Sequence, residues 1–238
     1  MSNDEIGELK LLQPEQGPRV NMDTILLASW VKLHRRPVKF LEAGCAAGAV
    51  SLLLAMKFKN NFQITGLEIQ NELVELAKLN AKNNKLDSRA IFISGDLRDK
   101  NILPRENFDG LVINPPYSSQ HAGRMSQSES RSTARLELTC TPDDVGEFAF
   151  RVLKNRGRLF AVFASTRLDS FINSMLKFKM TPKRLRPVYP KRDSDSNSGI
   201  FLIECVKFGG EGMNILPPLF IRDEYNNYTQ ELLAQYKF

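Results

Sequence analysis

The chain has 238 residues, 42% of them hydrophobic, which is enough to bury a full core in one large domain or two small ones and excludes a mostly disordered chain. Lys and Arg number 33 against 27 Asp and Glu, and the net charge of +6 suits a polyanionic partner. Cys45, Cys140 and Cys205 lie far apart with only two histidines, which argues against a disulfide framework or a structural zinc site.

The first residues predict a cytoplasmic protein. They include acidic side chains where a signal peptide carries basic ones. No apolar run in the sequence reaches the length that crosses a membrane. We therefore expect no membrane partner, and the cysteine and histidine content predicts no metal partner. The sequence sets no oligomeric state, and a monomer is compatible with it.

Hydrophobic spacing and turn residues predict alternating helices and strands in the first half of the chain. The predicted elements are a helix over 22–33 with Asp23 as its N-cap, strands over 38–44, 62–69, 90–94 and 108–113, and helices over 46–58 and 70–84. Strands that alternate with helices indicate a mostly parallel sheet covered on both faces.

The second half continues this pattern after an aperiodic stretch over 118–141. The predicted elements are a helix over 141–154 with Thr141 as N-cap, a strand over 157–164, a helix over 167–178, and strands over 183–190 and 199–208. The loop between the last two strands is too short for a crossover helix, so we expect an antiparallel hairpin. We predict a single domain over 1–238, with a leader and helix over 1–36 and a mobile substrate loop over 118–141.

A glycine-rich loop joins the first strand to its helix. A dinucleotide fingerprint placed on Gly44 lacks two of its three glycines. The pattern E-x-G-x-A-x-G, formed by Glu42, Gly44, Ala46 and Gly48, instead resembles the loop that holds S-adenosylmethionine (SAM) in methyltransferases. Alanine at the third of these positions requires either a negative φ there or strain in the left-handed region.

Two acidic residues follow the next two strands. Glu68 closes the second strand, where a carboxylate can accept hydrogen bonds from both hydroxyls of a ribose. Asp96 follows the third strand, where SAM-dependent enzymes place the acceptor for the adenine amine. Each acid alone is better explained as a solvated loop residue. Together with the glycine loop they predict a SAM site at the carboxyl edge of the sheet.

The fourth strand ends in "NPPY", residues 114–117. Two prolines forbid a helix or a continued strand, and a plain turn is the simplest interpretation. Beside a SAM site, the side-chain oxygen of Asn114 and the carbonyl of Pro115 can each accept an N–H of a flat amine. Pro115 and Pro116 stiffen this corner, and Tyr117 can stack on a planar target. We therefore predict methyl transfer to nitrogen through positioning and electrostatics, without a metal.

Motifs along nearly the whole chain resemble the bacterial tRNA adenine-N6 methyltransferases that modify a valine tRNA next to its anticodon. They include Q-x-x-x-G-x-R within "LLQPEQGPRVNMDTILLASW", the glycine loop, "NPPY", "KRLRPVYP", and the tail "IECVKFGGEGMNILPPLFI" and "YNNYTQEL". The family's A-R-H-E element has Leu136 in place of its histidine.

This resemblance implies a Rossmann-like class I SAM-dependent methyltransferase fold. Its mostly parallel seven-stranded sheet ends in an antiparallel hairpin and carries helices on both faces. The catalytic corner comprises Asn114, Pro115, Pro116 and Tyr117. The implied cofactor contacts are Asp23, Glu42, Gly44, Cys45, Ala46, Gly48, Glu68, Ile69, Asp96, Leu97 and Asn114.

tRNA is the substrate that this resemblance implies. Contacts to tRNA phosphates and a solvated surface explain about equally well the basic residues outside the corner: Lys32, Arg35, Arg36, Arg124, Arg131, Arg135, Lys183, Arg184, Arg186, Lys191 and Arg192. Other enzymes with N-P-P-Y methylate ribosomal RNA or a protein glutamine amide, and a non-catalytic RNA-binding module with the same fold is a further alternative.

Overall fold

The computed structural model describes residues 2–15, 17–33, 38–59, 61–115, 140–192 and 198–236. The strands in these ranges are β1 (Ser2–Ile6), β2 (Leu9–Gln13), β3 (Val38–Ala43), β4 (Phe62–Glu68), β5 (Ala90–Ser94), β6 (Phe108–Ile113), β7 (Leu153–Ala164), β8 (Met180–Lys191), β9 (Ile200–Lys207), β10 (Asn214–Ile215) and β11 (Leu219–Arg222). The α-helices are α1 (Met22–Trp30), α2 (Ala49–Phe58), α3 (Asn71–Asn83), α4 (Pro142–Val152), α5 (Leu168–Lys177) and α6 (Gln230–Ala234).

The central sheet has the order β10-β8-β9-β7-β6-β3-β4-β5, and β11 also pairs with β8. Strands β3 to β7 run parallel, while β9 is antiparallel to both β7 and β8. The predicted α/β class, parallel core and antiparallel hairpin are confirmed. The seven predicted strands are all present, and two short strands, β10 and β11, extend the sheet beyond them.

Hydrophobic cores cover both faces of the sheet because successive strand residues point to opposite sides. Phe40 and Phe160 pack with α1, α2 and α3 on one face. Leu41 and Ala161 pack with α4 and α5 on the other. On α3, Leu73, Leu76, Ala77 and Asn80 form one face at helical spacing, and this face is buried.

The predicted N-cap of α1 is wrong. Asn21 is the N-cap, and its side chain accepts from the backbone N–H of Thr24, which it joins in a capping box. Asp23 lies in the first turn instead. The helix ends at Trp30, three residues before the predicted end, because Val31 already has extended backbone angles.

The leader, for which the sequence predicted no strand, forms the antiparallel hairpin β1–β2. Asn80 fixes this hairpin to α3: its amide donates to the carbonyl of Leu12 at 2.9 Å and accepts from the N–H of Leu12 at 2.8 Å. The same amide donates to the carbonyl of Ala47 in the glycine loop at 3.0 Å. One buried polar side chain therefore ties the N-terminal hairpin to the loop.

The end of the chain extends the sheet along β8. Strands β10 and β11 both pair parallel with β8, and Pro217 and Pro218 interrupt them. Among the described residues, none of the helices combines the length and hydrophobicity of a membrane crossing.

Candidate active site

The carboxyl ends of β3, β4, β5 and β6 meet around a cavity of about 350 Å³. Strands that run parallel bring their carboxyl ends to one edge, which is where open α/β sheets bind ligands. The predicted residues that line this cavity are Asp23, Gly44, Ala46, Glu68, Ile69, Asp96, Leu97, Asn114 and Pro115. The structure thus brings together groups that are separated by up to 92 positions in the chain, from Asp23 to Pro115.

A smaller adjoining cavity of about 90 Å³ accounts for two more predicted residues. Glu42 and Cys45 line it, together with Gly44, Ala46 and Asn114, which also line the larger cavity. Gly48 lines neither cavity. A Cβ at Gly48 would lie 2.9 Å from the ring of Phe92, so its role is close packing of the loop.

The glycine loop uses the left-handed region three times. Gly44, Ala46 and Gly48 have φ values of 69°, 45° and 86°. Ala46 therefore takes the strained alternative left open by the sequence. For an alanine this conformation costs on the order of 1–2 kcal/mol relative to the right-handed region. The N–H groups of Gly44 and Cys45 donate to the carbonyl of Leu67 in β4, so the loop is held against this strand.

We expect Ala46→Gly to stabilise the protein. Relief of the strain exceeds the entropy that an added glycine contributes to the unfolded chain, so the net gain is on the order of 1 kcal/mol. Thermal unfolding without ligand should show Tm higher by about 2–4 °C. Ala47→Gly is the matched control, because Ala47 has a negative φ and should lose stability on the same change. A lower Tm for Ala46→Gly would contradict a strained loop.

Glu68 anchors this loop to β4. Its carboxylate is buried, and one oxygen accepts from the backbone N–H of Ala46 at 2.9 Å. The other oxygen accepts from the N–H of Gln70 at 3.1 Å. A carboxylate oxygen has two lone-pair directions, so each retains capacity for a ligand hydroxyl. This geometry agrees with the predicted role in ribose binding.

Glu42 points beneath the loop. Its Oε2 accepts from the backbone N–H of Ser51 at 2.8 Å and from the hydroxyl of the same residue. Burial raises the pKa of Glu42 to about 8, and the hydrogen bonds from Ser51 oppose this rise. Glu42 therefore connects β3 to the first turn of α2, and of the two cavities it lines only the smaller one.

Stability should fall with rising pH because of Glu42. The pKa of the Glu42 carboxyl is higher in the folded chain than in the unfolded chain, so this group contributes its full share to the free energy of unfolding below the unfolded pKa of 4.5. That contribution disappears as the pH rises to about 8. Urea unfolding between about pH 5 and pH 8 should therefore show a declining free energy of unfolding. Glu42→Gln keeps an acceptor for Ser51 and should flatten the decline. Parallel profiles for the two proteins would refute the assignment.

Asp96 is held by its neighbour Arg98. The guanidinium Nε donates to both carboxylate oxygens of Asp96 at 3.0 Å, and the backbone N–H of Arg98 donates to one of them at 2.9 Å. These hydrogen bonds lower the pKa of Asp96. The acceptor predicted for an adenine amine is thus already charged and fixed in direction.

The predicted catalytic corner is described in part. Asn114 is half-buried at the end of β6, Pro115 is buried, and both line the larger cavity. Pro116, Tyr117 and residues 118–139 lie outside the described residues, as do Leu136, Arg124, Arg131 and Arg135. His34, Arg35 and Arg36 also lie outside them.

Sequence reasoning assigned no ligand role to several cavity residues, of which Arg19 and Arg98 are charged. Arg19 lines both cavities and forms an ion pair with Asp4 at 3.3 Å. The segment before α1 is fixed because the amide oxygen of Gln13 accepts from the N–H of Val20 at 2.6 Å. The Q-x-x-x-G-x-R element, which contains Gln13 and Arg19, was the signal for this arrangement.

These groups fit a SAM molecule by their chemistry. The cavity has the volume of a small-molecule site. Glu68 and Asp96 offer acceptors for a ribose and an adenine amine, and Arg19 and Asp23 offer opposite charges for a zwitterion. Burial raises the pKa of Asp23. Within the described ranges, no group of three or more His, Cys, Asp or Glu side chains is arranged to hold a metal ion.

Three of the basic residues predicted to contact phosphate also form contacts within the protein. Arg184 forms an ion pair with buried Glu204 at 2.5 Å and lies 4.1 Å over the ring of Trp30. The amine of Lys183 donates to the carbonyls of Gly210 and Glu211. Arg186 donates to the carbonyl of Pro217 and forms an ion pair with Glu231. These residues fasten β8 to the sheet and to the chain's end.

Comparisons with known proteins agree with this architecture. A family profile described as "Methyltransferase domain" matches residues 34–190, more than half of the chain. A curated relative from Flavobacterium psychrophilum, named tRNA1(Val) (adenine(37)-N6)-methyltransferase, is 24% identical over 227 residues, which are 95% of this chain and 94% of that protein.

Two solved structures share the fold. A predicted O-methyltransferase from Agrobacterium tumefaciens matches with a TM-score of 0.72 at 18% identity, over 90% of this chain and 95% of that one. Geranyl diphosphate C-methyltransferase from Streptomyces coelicolor, in complex with Mg²⁺, geranyl diphosphate and S-adenosyl-L-homocysteine, matches with a TM-score of 0.54 at 11% identity, over 77% of each chain. At these identities the structures show a common fold and not a common substrate.

Proposed function

The chain belongs to the methyltransferase domain family, and on this basis we propose that it is a SAM-dependent enzyme that methylates the N6 amine of an adenine in tRNA. One observation carries the proposal. The corner of Asn114 and Pro115 opens into the cavity that the glycine loop, Glu68 and Asp96 also line. Acceptors for a flat amine therefore face the site of a methyl donor.

The cofactor is proposed to lie along the carboxyl edge. Glu68 accepts from its ribose hydroxyls, and Asp96, held by Arg98, accepts from its adenine amine. Ile69 and Leu97 provide apolar contacts, and Gly44 and Ala46 of the glycine loop line the part of the cavity proposed for its methionine end. Glu42 and Cys45 support this loop from the smaller cavity.

Bound SAM supplies an electrophilic methyl group on a sulfonium. An adenine amine is a weak nucleophile because its lone pair is delocalised into the ring. Asn114 Oδ1 and the carbonyl of Pro115 each accept one N–H of the amine, and this orients the lone pair toward the methyl group. On taking the methyl group, the amine would lose one proton to water, and the cofactor would leave as the neutral thioether S-adenosylhomocysteine. Tyr117 is proposed to stack on the target base.

tRNA is the proposed substrate because the relative from Flavobacterium psychrophilum carries that name and matches nearly the full chain. The net charge of +6 agrees with a polyanionic partner. Ribosomal RNA and a protein glutamine amide require the same corner and are the competing targets. The cytoplasm, where tRNA is processed, is the proposed location.

The experiment is methylation of total cellular RNA, DNA and protein with methyl-labelled SAM, followed by nucleoside and peptide analysis. We expect the label in N6-methyladenosine from the tRNA fraction. Label restricted to ribosomal RNA or to protein would replace the proposed target. Binding of RNA without label in any fraction would favour the non-catalytic alternative.

We further propose that Arg19 binds the carboxylate of the cofactor's methionine end. A hydrogen bond to a charged group is worth about 1.5–3 kcal/mol, so Arg19→Ala should weaken S-adenosylhomocysteine (SAH) binding by about tenfold or more. Calorimetry should show unchanged affinity for 5′-methylthioadenosine, which lacks the amino acid. Arg19→Lys should retain part of the SAH affinity. Equal loss for both ligands would assign Arg19 to the shape of the site instead.

A further inference from the structure

A short turn between β11 and α6 displays two tyrosines to solvent. We call residues 222–228 the tyrosine turn. Tyr225 is 77% exposed and Tyr228 46% exposed. Large aromatic side chains are enriched at binding surfaces because they bury much area on contact. The tyrosine turn shares residues 225–228 with "YNNYTQEL", a sequence element to which the cofactor site gives no role.

Hydrogen bonds and a backbone bridge within the tyrosine turn hold its conformation. The carboxylate of Asp223 accepts from the backbone N–H groups of Tyr225 at 3.0 Å and Asn227 at 2.8 Å. The N–H of Asp223 donates to the carbonyl of Asn227, and Arg222 pairs with Tyr228 in an antiparallel bridge. Asn226 closes the turn with φ 69°. The exposure of Tyr225 is therefore a property of an ordered loop.

Cations surround this surface. The guanidinium of Arg222 lies 4.3 Å over the ring of Tyr228 and donates to the carbonyl of Asn226 at 2.7 Å. The exposed Arg192 lies 5.3 Å over the ring of Phe220. Lys191 is the register partner of Arg222.

Two acids, Asp223 and Glu224, also lie in the turn. The carboxylate of Asp223 accepts backbone N–H groups, so part of its charge is satisfied within the turn. Glu224 is exposed. Arg192 and Arg222 therefore lie beside aromatic rings, and one of the two acids in the turn is engaged by backbone N–H groups.

The sheet places this surface on the same edge as the catalytic corner. Strands β6, β7, β8 and β11 point the same way, so the carboxyl ends of β11 and β8, at Arg222 and Lys191, lie on the edge where β6 ends at Asn114. Four strand spacings separate β6 from β11, which is roughly 20 Å. One folded RNA can span this separation.

We propose that the tyrosine turn is an RNA docking surface that stacks an unpaired base on Tyr225 and contacts phosphates through Arg192 and Arg222. An aromatic ring beside arginines is the arrangement that binds unpaired nucleotides irrespective of sequence. This inference rests on the proposed function, because the RNA that docks here is the one whose adenine enters the corner of Asn114. The surface contributes affinity and register, and it takes no part in methyl transfer.

The test is a titration of unmodified tRNA by fluorescence anisotropy, together with steady-state methylation kinetics and SAH calorimetry. Loss of one stacked base corresponds to about tenfold in affinity, so Tyr225→Ala should raise Kd and KM for tRNA about tenfold. The kcat and the SAH affinity should not change. Tyr225→Phe keeps the ring and should behave as wild type. Ile91→Ala removes another exposed apolar side chain, from the opposite end of the sheet, and should change nothing.

Arg192→Ala tests the electrostatic part. It should lower the slope of log Kd against log salt concentration by about one. If wild-type protein binds tRNA and Tyr225→Ala binds it equally well, the docking surface is refuted and the proposed function stands. Equal loss in the Phe variant would refute stacking. If wild-type protein binds SAH but no RNA, both the docking surface and the tRNA substrate are refuted.

Discussion

Asn114→Ala is expected to lower methyl transfer to tRNA by about 100-fold or more, a loss typical of removing one positioned hydrogen-bond partner from a reacting group. The change leaves the glycine loop, Glu68 and Asp96 in place. SAH affinity should therefore stay within about threefold of wild type, which is less than one hydrogen bond contributes. Single-turnover kinetics with SAM and tRNA, and calorimetry with SAH, measure the two quantities.

Two variants complete the test of Asn114. Asn114→Asp retains an acceptor oxygen and should keep more activity than the alanine variant. Asn173→Ala removes an exposed asparagine from α5 and should match wild type in both measurements. Comparable loss of SAH binding in Asn114→Ala would identify Asn114 as a cofactor ligand instead of a contact to the target amine.

Glu68→Ala is expected to act in the opposite way, by weakening cofactor binding. The carboxylate is proposed to accept two ribose hydroxyls, and each hydrogen bond to a charged group contributes about 1.5–3 kcal/mol. Its removal also releases the N–H of Ala46, so the loop loses its anchor. SAH affinity should fall about 100-fold or more by calorimetry, and kcat at saturating SAM should change much less.

Glu68→Gln separates these two contributions. The amide oxygen can still accept from Ala46 but carries no charge, so the variant should bind SAH with intermediate affinity. Glu72→Ala is the matched control, because Glu72 is an exposed glutamate in the first turn of α3. Wild-type SAH affinity in Glu68→Ala would remove Glu68 from the cofactor site.

Strong local signals explain why most of the fold could be predicted. The bounds of β5 and β6 match the prediction, and α4 begins with Thr141 as cap and Pro142 in its first turn. Continuous apolar runs, a capping residue and a following proline are short-range signals that tertiary contacts did not override. The parallel order follows from the alternation of strands and helices.

Elements that depend on distant partners were missed. The hairpin β1–β2 is fixed by Asn80 in α3, nearly 70 positions away from Leu12. Strands β10 and β11 are short and exist because β8 offers an edge. For α1, both Asn21 and Asp23 are suitable caps, and the side chain of Thr24 at the third helical position selects Asn21 by forming a capping box.

The acidic residues and the glycine loop of the site could be predicted from the sequence, but the contacts between its side chains could not. Strand ends indicated Glu68 and Asp96, whereas the bidentate contact between Asp96 and Arg98 is a matter of side-chain geometry. The sequence left two conformations open for Ala46, and the structure has the left-handed one. Nothing in the sequence indicates that Arg184 forms an ion pair with buried Glu204, because the two residues lie on different strands.

A crystal structure of the protein with SAH and a tRNA anticodon stem–loop measures the geometry of the methyl acceptor directly. The adenine N6 should lie about 3 Å from both Asn114 Oδ1 and the carbonyl oxygen of Pro115, and it should face the sulfur of SAH. An adenine bound elsewhere, or one whose amine points away from these two oxygens, would contradict the proposed role of this corner.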